Sequence, residues 1–181
     1  MPSGLAIAPR PAGAPTVDFH VLYREQFDFV WRTAQKLGAQ DSEVEDRVHD
    51  VFAIVVKQLP TYDPSRPVRL WLYGIIYRVM LNHRRKLSTH EVPTAELPEL
   101  VSDDDPAARA EQRQGLSIAR QIIDSLEIDR RVVLVMHDLD ELSMPQIAEA
   151  LEIPLNTAYS RLRLARRDFE DAARRRMEGG R

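Results

Sequence analysis

No cysteine occurs among the 181 residues. Disulfide staples and thiolate metal sites are therefore excluded, and a reducing cytoplasmic setting fits. Long hydrophobic runs are missing too. No apolar stretch approaches the roughly 20 residues that a membrane helix needs, so no membrane span is expected. Residues 1–16 hold one Arg and four Pro and no apolar segment, which reads as a disordered tail rather than a signal peptide. Only seven glycines are present, and none builds a phosphate-cradling loop. The five histidines, His20, His49, His83, His90 and His137, show no metal-ligand spacing. With no H-E-x-x-H motif and no nucleophile elbow, the chain offers no catalytic constellation. It reads as a binding protein and not an enzyme, with no metal site and no cofactor.

Net charge is also small, −3, which taken as an average argues against a nucleic-acid partner. The charge is segregated, however. Residues 64–90 carry six Lys/Arg and no acid, residues 89–105 carry six acids and no Lys/Arg, and residues 159–176 carry seven Arg against three acids. Two basic patches separated by an acidic spacer suggest two surfaces that each meet phosphate.

The C-terminal third carries the clearest pattern. Ser143-Met144-Pro145-Gln146 reads as a capping box with proline in the first turn. Ile147, Ala148 and Leu151 form an apolar face, and Glu152-Ile153-Pro154 breaks the helix. From Asn156 the chain is helical again, with Ala158, Leu162, Ala165 and Phe169 on one side. The other side carries Asn156, Thr157, Ser160, Arg161, Arg163 and Arg167. This is a helix-turn-helix whose second helix has amide and hydroxyl groups for base edges and arginines for guanines and phosphates. A plain three-helix unit with a solvated arginine face is the alternative. The turn length and the Asn/Thr/Ser/Arg face together favour DNA.

Upstream, helices are expected over about 17–37, ending at Gly38, over 42–59 behind a Ser42-x-x-Glu45 capping box, and over about 68–87, with a loop at 61–67. Asp105-Pro106 is expected to cap a helix reaching Leu126, and Asp129 another reaching Leu139. The short run Val132 to Val135 is compatible with a buried strand, but the preceding cap favours helix. In the 68–87 helix and the loop before it, basic residues interleave with aromatics: Arg66, Arg69, Tyr73, Tyr77, Arg78, Asn82, Arg84, Arg85 and Lys86 suit unstacked bases and phosphates of a single strand. Trp71 reads as core. In the 42–59 helix, Glu43, Glu45, Asp46 and Asp50 make an acidic face beside Val51 and Phe52, either solvated or a protein-docking surface. The expected architecture is all-α: a tail over 1–16, helical domains over 17–88 and 106–176, a flexible acidic linker over 89–105 and a disordered tail over 177–181.

These residues resemble the bacterial sigma-70 family, specifically its extracytoplasmic-function (ECF, group 4) members, over roughly residues 17 to 176. Val48-His49-Asp50-Val51-Phe52, Trp71-Leu72-Tyr73 and Asn82-His83-Arg84-Arg85 are similar to the family's second conserved region. Asp124-Ser125-Leu126, Arg130, Leu142-Ser143, Ile147-Ala148, Leu151 and Ser160-Arg161-Leu162-x-x-Ala165-Arg166 are similar to the fourth. The resemblance implies a protein that binds core RNA polymerase and directs it to promoters. It implies that the 42–59 helix docks on polymerase through Asp46, Asp50, Val51 and Phe52. The 61–86 region would hold the melted minus-ten strand and the 156–167 helix would read the minus-thirty-five duplex. The linker would run through polymerase channels, and an anti-sigma factor would control activity. Four positions depart from the pattern: Arg78 stands where Asn is frequent, Glu152 and Glu141 where Gly is usual, and Leu126-Glu127 where Leu-Pro is usual. A conventional helix-turn-helix regulator, binding duplex operators as a dimer without polymerase, leaves the aromatic and basic 68–87 helix unexplained.

Overall fold

The computed structural model describes residues 17–87 and 117–179, and every regular element among them is helical. Helix α1 spans Phe19–Lys36, α2 Val44–Gln58 and α3 Val68–Leu87. A 3-10 turn, Leu59–Thr61, follows α2. Helix α4 covers residues 117–125, and α5 covers Ile128–Leu134 and runs into a π turn at Val135–Leu139. Helices α6, Met144–Leu151, and α7, Leu155–Gly179, complete the fold. The expected 1–16 tail, the linker and the Asp105-Pro106 cap lie outside the described residues.

Local signals explain most of the ends. The Asp18 carboxylate accepts the Val21 N–H at 3.1 Å and opens α1. Gly38 closes it at φ +98°, a conformation that glycine adopts without a Cβ penalty. At α6 the expected capping box forms, with the Gln146 side chain accepting the Ser143 N–H at 2.9 Å. The α6–α7 turn is made by Glu152 at φ +55°, so the residue that stands in place of glycine adopts the left-handed conformation itself; Glu141 does the same.

Three expected ends differ. The Ser42 box does not form, and α2 starts at Val44 behind Glu43. The Gln40 carbonyl already accepts the N–H groups of Glu43 and Val44, at 2.9 and 2.8 Å. Those early donors therefore need no side-chain cap. Asp129 does not cap α5 either; Glu127 holds that place and Asp129 sits in the first turn. Finally, α7 continues to Gly179, past the expected end at 176.

Two units share one core. The first is α1–α3, the second α4–α7, and α3 crosses between them to pack on α6 and α5. Val30, Val51, Leu72, Ile75 and Ile76 of the first unit and Val132, Met136, Ile147 and Leu151 of the second belong to a single buried cluster. Burial of each such side chain contributes about 1.5–3 kcal/mol, which offsets the entropy of ordering these helices.

Candidate nucleic-acid interface

Apolar spacing in α7 decides which residues face out. Ala158, Leu162 and Ala165 are buried against α5 and α6, which turns Asn156, Ser160, Arg163 and Arg167 to solvent. Thr157 is half-buried beside them. Arg161 lies lower on the face, and its Nη2 donates to Asp129 Oδ2 at 2.7 Å. Among the described residues, Arg167 reaches only its neighbour Asp168, at 3.5 Å. Arg166 is drawn off the face by Asp138, 2.6 Å away. That hydrogen bond, followed by one from His137, holds the Asp138 carboxyl below the usual carboxylate range.

Sequence reasoning missed Tyr159, 53% exposed between Asn156 and Arg163. Its spacing of three from Asn156 and four from Arg163 places it on the same face and was the available signal.

The α3 face is differently placed. Arg69, Asn82, Arg85 and Lys86 are exposed, and the Arg69 guanidinium lies 5.1 Å from the Phe29 ring centroid. Trp71 stacks on Tyr62 with centroids 4.4 Å apart, and the Tyr62 hydroxyl donates to the Arg66 carbonyl at 2.6 Å. These contacts order the 61–67 loop before α3. Tyr73 and Tyr77, expected to meet bases, are buried under the second unit. The Tyr73 hydroxyl donates to Asp140 and the Tyr77 hydroxyl to Asp129, the latter at 2.6 Å. Burial, and then these carboxylates, push both phenol pKa values up. Arg66 pairs with Glu149 at 2.8 Å and Arg78 with Glu152 at 3.1 Å. Arg84 donates to the carbonyls of Leu126 and Asp124, at 3.1 and 3.3 Å.

On α2, Asp46 and Asp50 are exposed and form an acidic surface. Val51 and Phe52 are not part of it. Val51 is fully buried, and Phe52 packs on Tyr23 at 4.5 Å inside a cluster with Phe19 and Phe27. Their hydrophobic area serves the α1–α2 seam and is closed to a partner in this conformation.

Two helical units, the second a helix-turn-helix, with basic faces on α3 and α7, define a nucleic-acid-binding protein. Residues 22–89 match sigma-70 region 2, and residues 116–169 match sigma-70 region 4. RNA polymerase sigma factor CnrH of Cupriavidus metallidurans is 26% identical over 144 residues, 75% of each chain. The ECF RNA polymerase sigma factor SigE of Mycolicibacterium smegmatis is 26% identical over 156 residues, 83% of this chain and 59% of the relative. The fold resembles CnrH bound to the cytosolic domain of CnrY, with a TM-score of 0.57 and 24% identity over 84% of this chain and 85% of that one. It also resembles RpoE bound to the anti-sigma factor NepR from Bartonella quintana, with a TM-score of 0.65 and 17% identity over 87% and 97%. The chain belongs to the sigma-70 family, in its extracytoplasmic-function group. Its activity is promoter-directed initiation with RNA polymerase, which performs the chemistry; the sigma factor is not an enzyme. No helix among the described residues is long and apolar enough to cross a membrane.

Proposed function

We propose that α7 reads the minus-thirty-five element as duplex, through Asn156, Thr157, Ser160, Arg163 and Arg167, with Arg161 bracing the helix from below. Tyr159 joins this set. The observation that supports this most directly is the outward row Asn156, Ser160, Arg163 and Arg167 on a helix anchored by Ala158, Leu162 and Ala165. An anchored helix with amide, hydroxyl and guanidinium groups on its free face fits the major groove.

The 61–86 segment holds the melted minus-ten strand, with Arg66, Arg69, Arg78, Asn82, Arg84, Arg85 and Lys86 on phosphates; the buried Tyr73 and Tyr77 instead bind the second unit. Extruding a base costs a few kcal/mol of stacking, which cation and ring contacts offset. Asp46 and Asp50 on α2 meet core polymerase. The protein works in the cytoplasm, where an anti-sigma factor controls access to these surfaces; the similar RpoE was solved in complex with the anti-sigma factor NepR.

Run-off transcription with purified core polymerase, with and without the protein, on a library of promoter-length DNA tests this reading. Start-site-specific transcripts that depend on the protein are expected. Absence of such transcripts together with tight binding of the protein alone to duplex DNA would overturn it in favour of a polymerase-independent regulator.

A further inference from the structure

One edge of α7 is not used by the fold. Leu155, its first residue, and Tyr159, one turn on, are 41% and 53% exposed. Residues four apart stand one above the other on a helix, so the isobutyl group and the ring share one apolar edge. Single exposed hydrophobics are ordinary, but adjacent ones beside a polar and charged row point to a contact. The chain has five tyrosines, and four have partners within it. Tyr23 packs on Phe52, Tyr62 on Trp71, and the Tyr73 and Tyr77 hydroxyls donate to Asp140 and Asp129. Among the described residues, Tyr159 has neither a ring partner nor a hydroxyl partner.

The place of this edge says what it meets. It lies at the N-terminal end of α7, beside Asn156 and Ser160 and ahead of Arg163 and Arg167, all exposed. In a helix-turn-helix the first residues of the second helix reach base edges, while cations fix the protein on phosphates. The backbone there is held: the Pro154 carbonyl accepts the N–H groups of Thr157 and Ala158 at 2.9 and 3.1 Å, and Ala158 is buried. We propose that Leu155 and Tyr159 read the 5-methyl group of thymine in the minus-thirty-five duplex, so that base preference at one or two positions depends on that methyl. This rests on the assignment of α7 to duplex DNA and adds to it the base that the apolar edge selects.

The chemistry singles out thymine. Of the four bases, only thymine presents an apolar group in the major groove, and cytosine presents an amino donor there instead. The Leu155 side chain and the face of the Tyr159 ring have no acceptor for that donor, so laying them over cytosine would leave it unpaired. Over thymine they bury a methyl, which corresponds to about fourfold in affinity at the transfer value of one methylene. Asn156 and Ser160 beside them keep the hydrogen-bonding part of the readout.

The probe is double-stranded DNA randomised over about one helical turn, made once with thymidine and once with deoxyuridine, which lacks only the base methyl. The full chain selects from both libraries, alone and with core polymerase, and the bound sequences are counted. Wild type is expected to prefer thymine at one or two positions about fourfold more strongly than it prefers uracil there. Leu155→Ala with Tyr159→Ala should remove that difference and keep the preferences at other positions. Tyr159→Phe should retain it, because the ring and not the hydroxyl makes the contact. Arg163→Ala should weaken enrichment from both libraries alike.

Selected sequences with no thymine preference, or with equal preference for thymine and uracil, would overturn the inference. So would a methyl effect that survives the double substitution, or one lost in Tyr159→Phe, where the hydroxyl would be the reading group. In each of these cases, enrichment that still depends on Arg163 would leave α7 on the duplex. No enrichment by wild type in either setting would remove the α7 assignment, and this inference with it.

Discussion

Arg161 turns back from the free face of α7 to Asp129 at the start of α5, with Nη2 2.7 Å from Oδ2, while the Tyr77 hydroxyl holds the other oxygen of the same carboxylate at 2.6 Å. One carboxylate thus ties α7 to α5 and α3 together. Two residues further along α7, Arg163 is exposed and forms no ion pair among the described residues. Two arginines that a helical wheel treats alike have separate duties.

Arg163→Ala should weaken binding of a minus-thirty-five duplex about tenfold, the size expected for one guanidinium contact, and leave the melting temperature unchanged. Arg161→Ala should lower stability by about 1 kcal/mol, the size of one partly buried charge-assisted bond. Anisotropy titrations and thermal melts of the two single variants check the division. Equal loss of duplex affinity with no change in either melt would contradict it.

Arg131 is the most enclosed charge among the described residues, 1% exposed. Its guanidinium donates to the carbonyls of Leu37 at 2.8 Å and Leu126 at 3.0 Å, and also to that of Asp124. Burial, and then the charge of Arg84, lowers its pKa to about 10. Arg131→Met keeps volume but takes the guanidinium donor from the Leu37 carbonyl and one of two donors from those of Leu126 and Asp124, and should cost about 3 kcal/mol in urea unfolding. Gly38→Ala should fail at the same point from the other side, because a methyl there meets the Arg131 guanidinium and φ is +98°. Wild-type urea midpoints for these variants would refute the role given to the arginine.

Elements whose signals are local were readable in the chain. Gly38 ends α1, and the Ser143–Gln146 box opens α6, because each involves partners within a few residues. Ser42 presents the same motif and fails, since the chain turns first, with the Gln40 carbonyl accepting the Glu43 and Val44 N–H groups, and α2 starts at Val44, behind Glu43 rather than Ser42. The α7 face was readable in the same way, from the period of Ala158, Leu162 and Ala165. The α3 face was not. Tyr73 and Tyr77 carry the pattern of a stacking platform, yet their partners Asp140 and Asp129 lie 67 and 52 residues away. Which side of α3 is covered depends on how two units meet, and periodicity within one helix holds no information about that. Val51 and Phe52 illustrate the converse: their places in the helical period agree with burial, and only the family pattern drew them toward a partner.

The two left-handed glutamates make a direct test of backbone cost. Glu141 sits at φ +55°, between the π turn and α6. A non-glycine residue in this conformation costs about 1 kcal/mol, partly offset by the greater freedom that glycine has when unfolded. Glu141→Gly should therefore stabilise the protein by about 0.5 kcal/mol, read as a rise in melting temperature. A fall would mean that the Glu141 side chain supplies more than its backbone costs.

Acid sensitivity should trace to two carboxylates. Asp138 is held below its ordinary pKa by the Arg166 hydrogen bond and then by His137. Asp168 is held low by Arg130 and then by Arg167. A carboxylate with a folded pKa below its unfolded value contributes stability that is fully present above the unfolded value, about 3.9, and is lost as pH falls through the folded one. The unfolding midpoint should therefore hold steady just above pH of about 5 and decline below about 4. Asp138→Asn should lower the plateau slightly and shallow that decline, because the group that would take up the proton is gone. Both carboxylates lie near the surface, so screening by water keeps the effect modest, and added salt should shrink it further. Urea midpoints of wild type and Asp138→Asn between pH of about 3 and 6 give the comparison. Parallel curves for the two proteins would place the acid loss elsewhere, with Asp168, and then Asp63, whose carboxyl the Ser65 hydrogen bonds hold low, as the next substitutions to make.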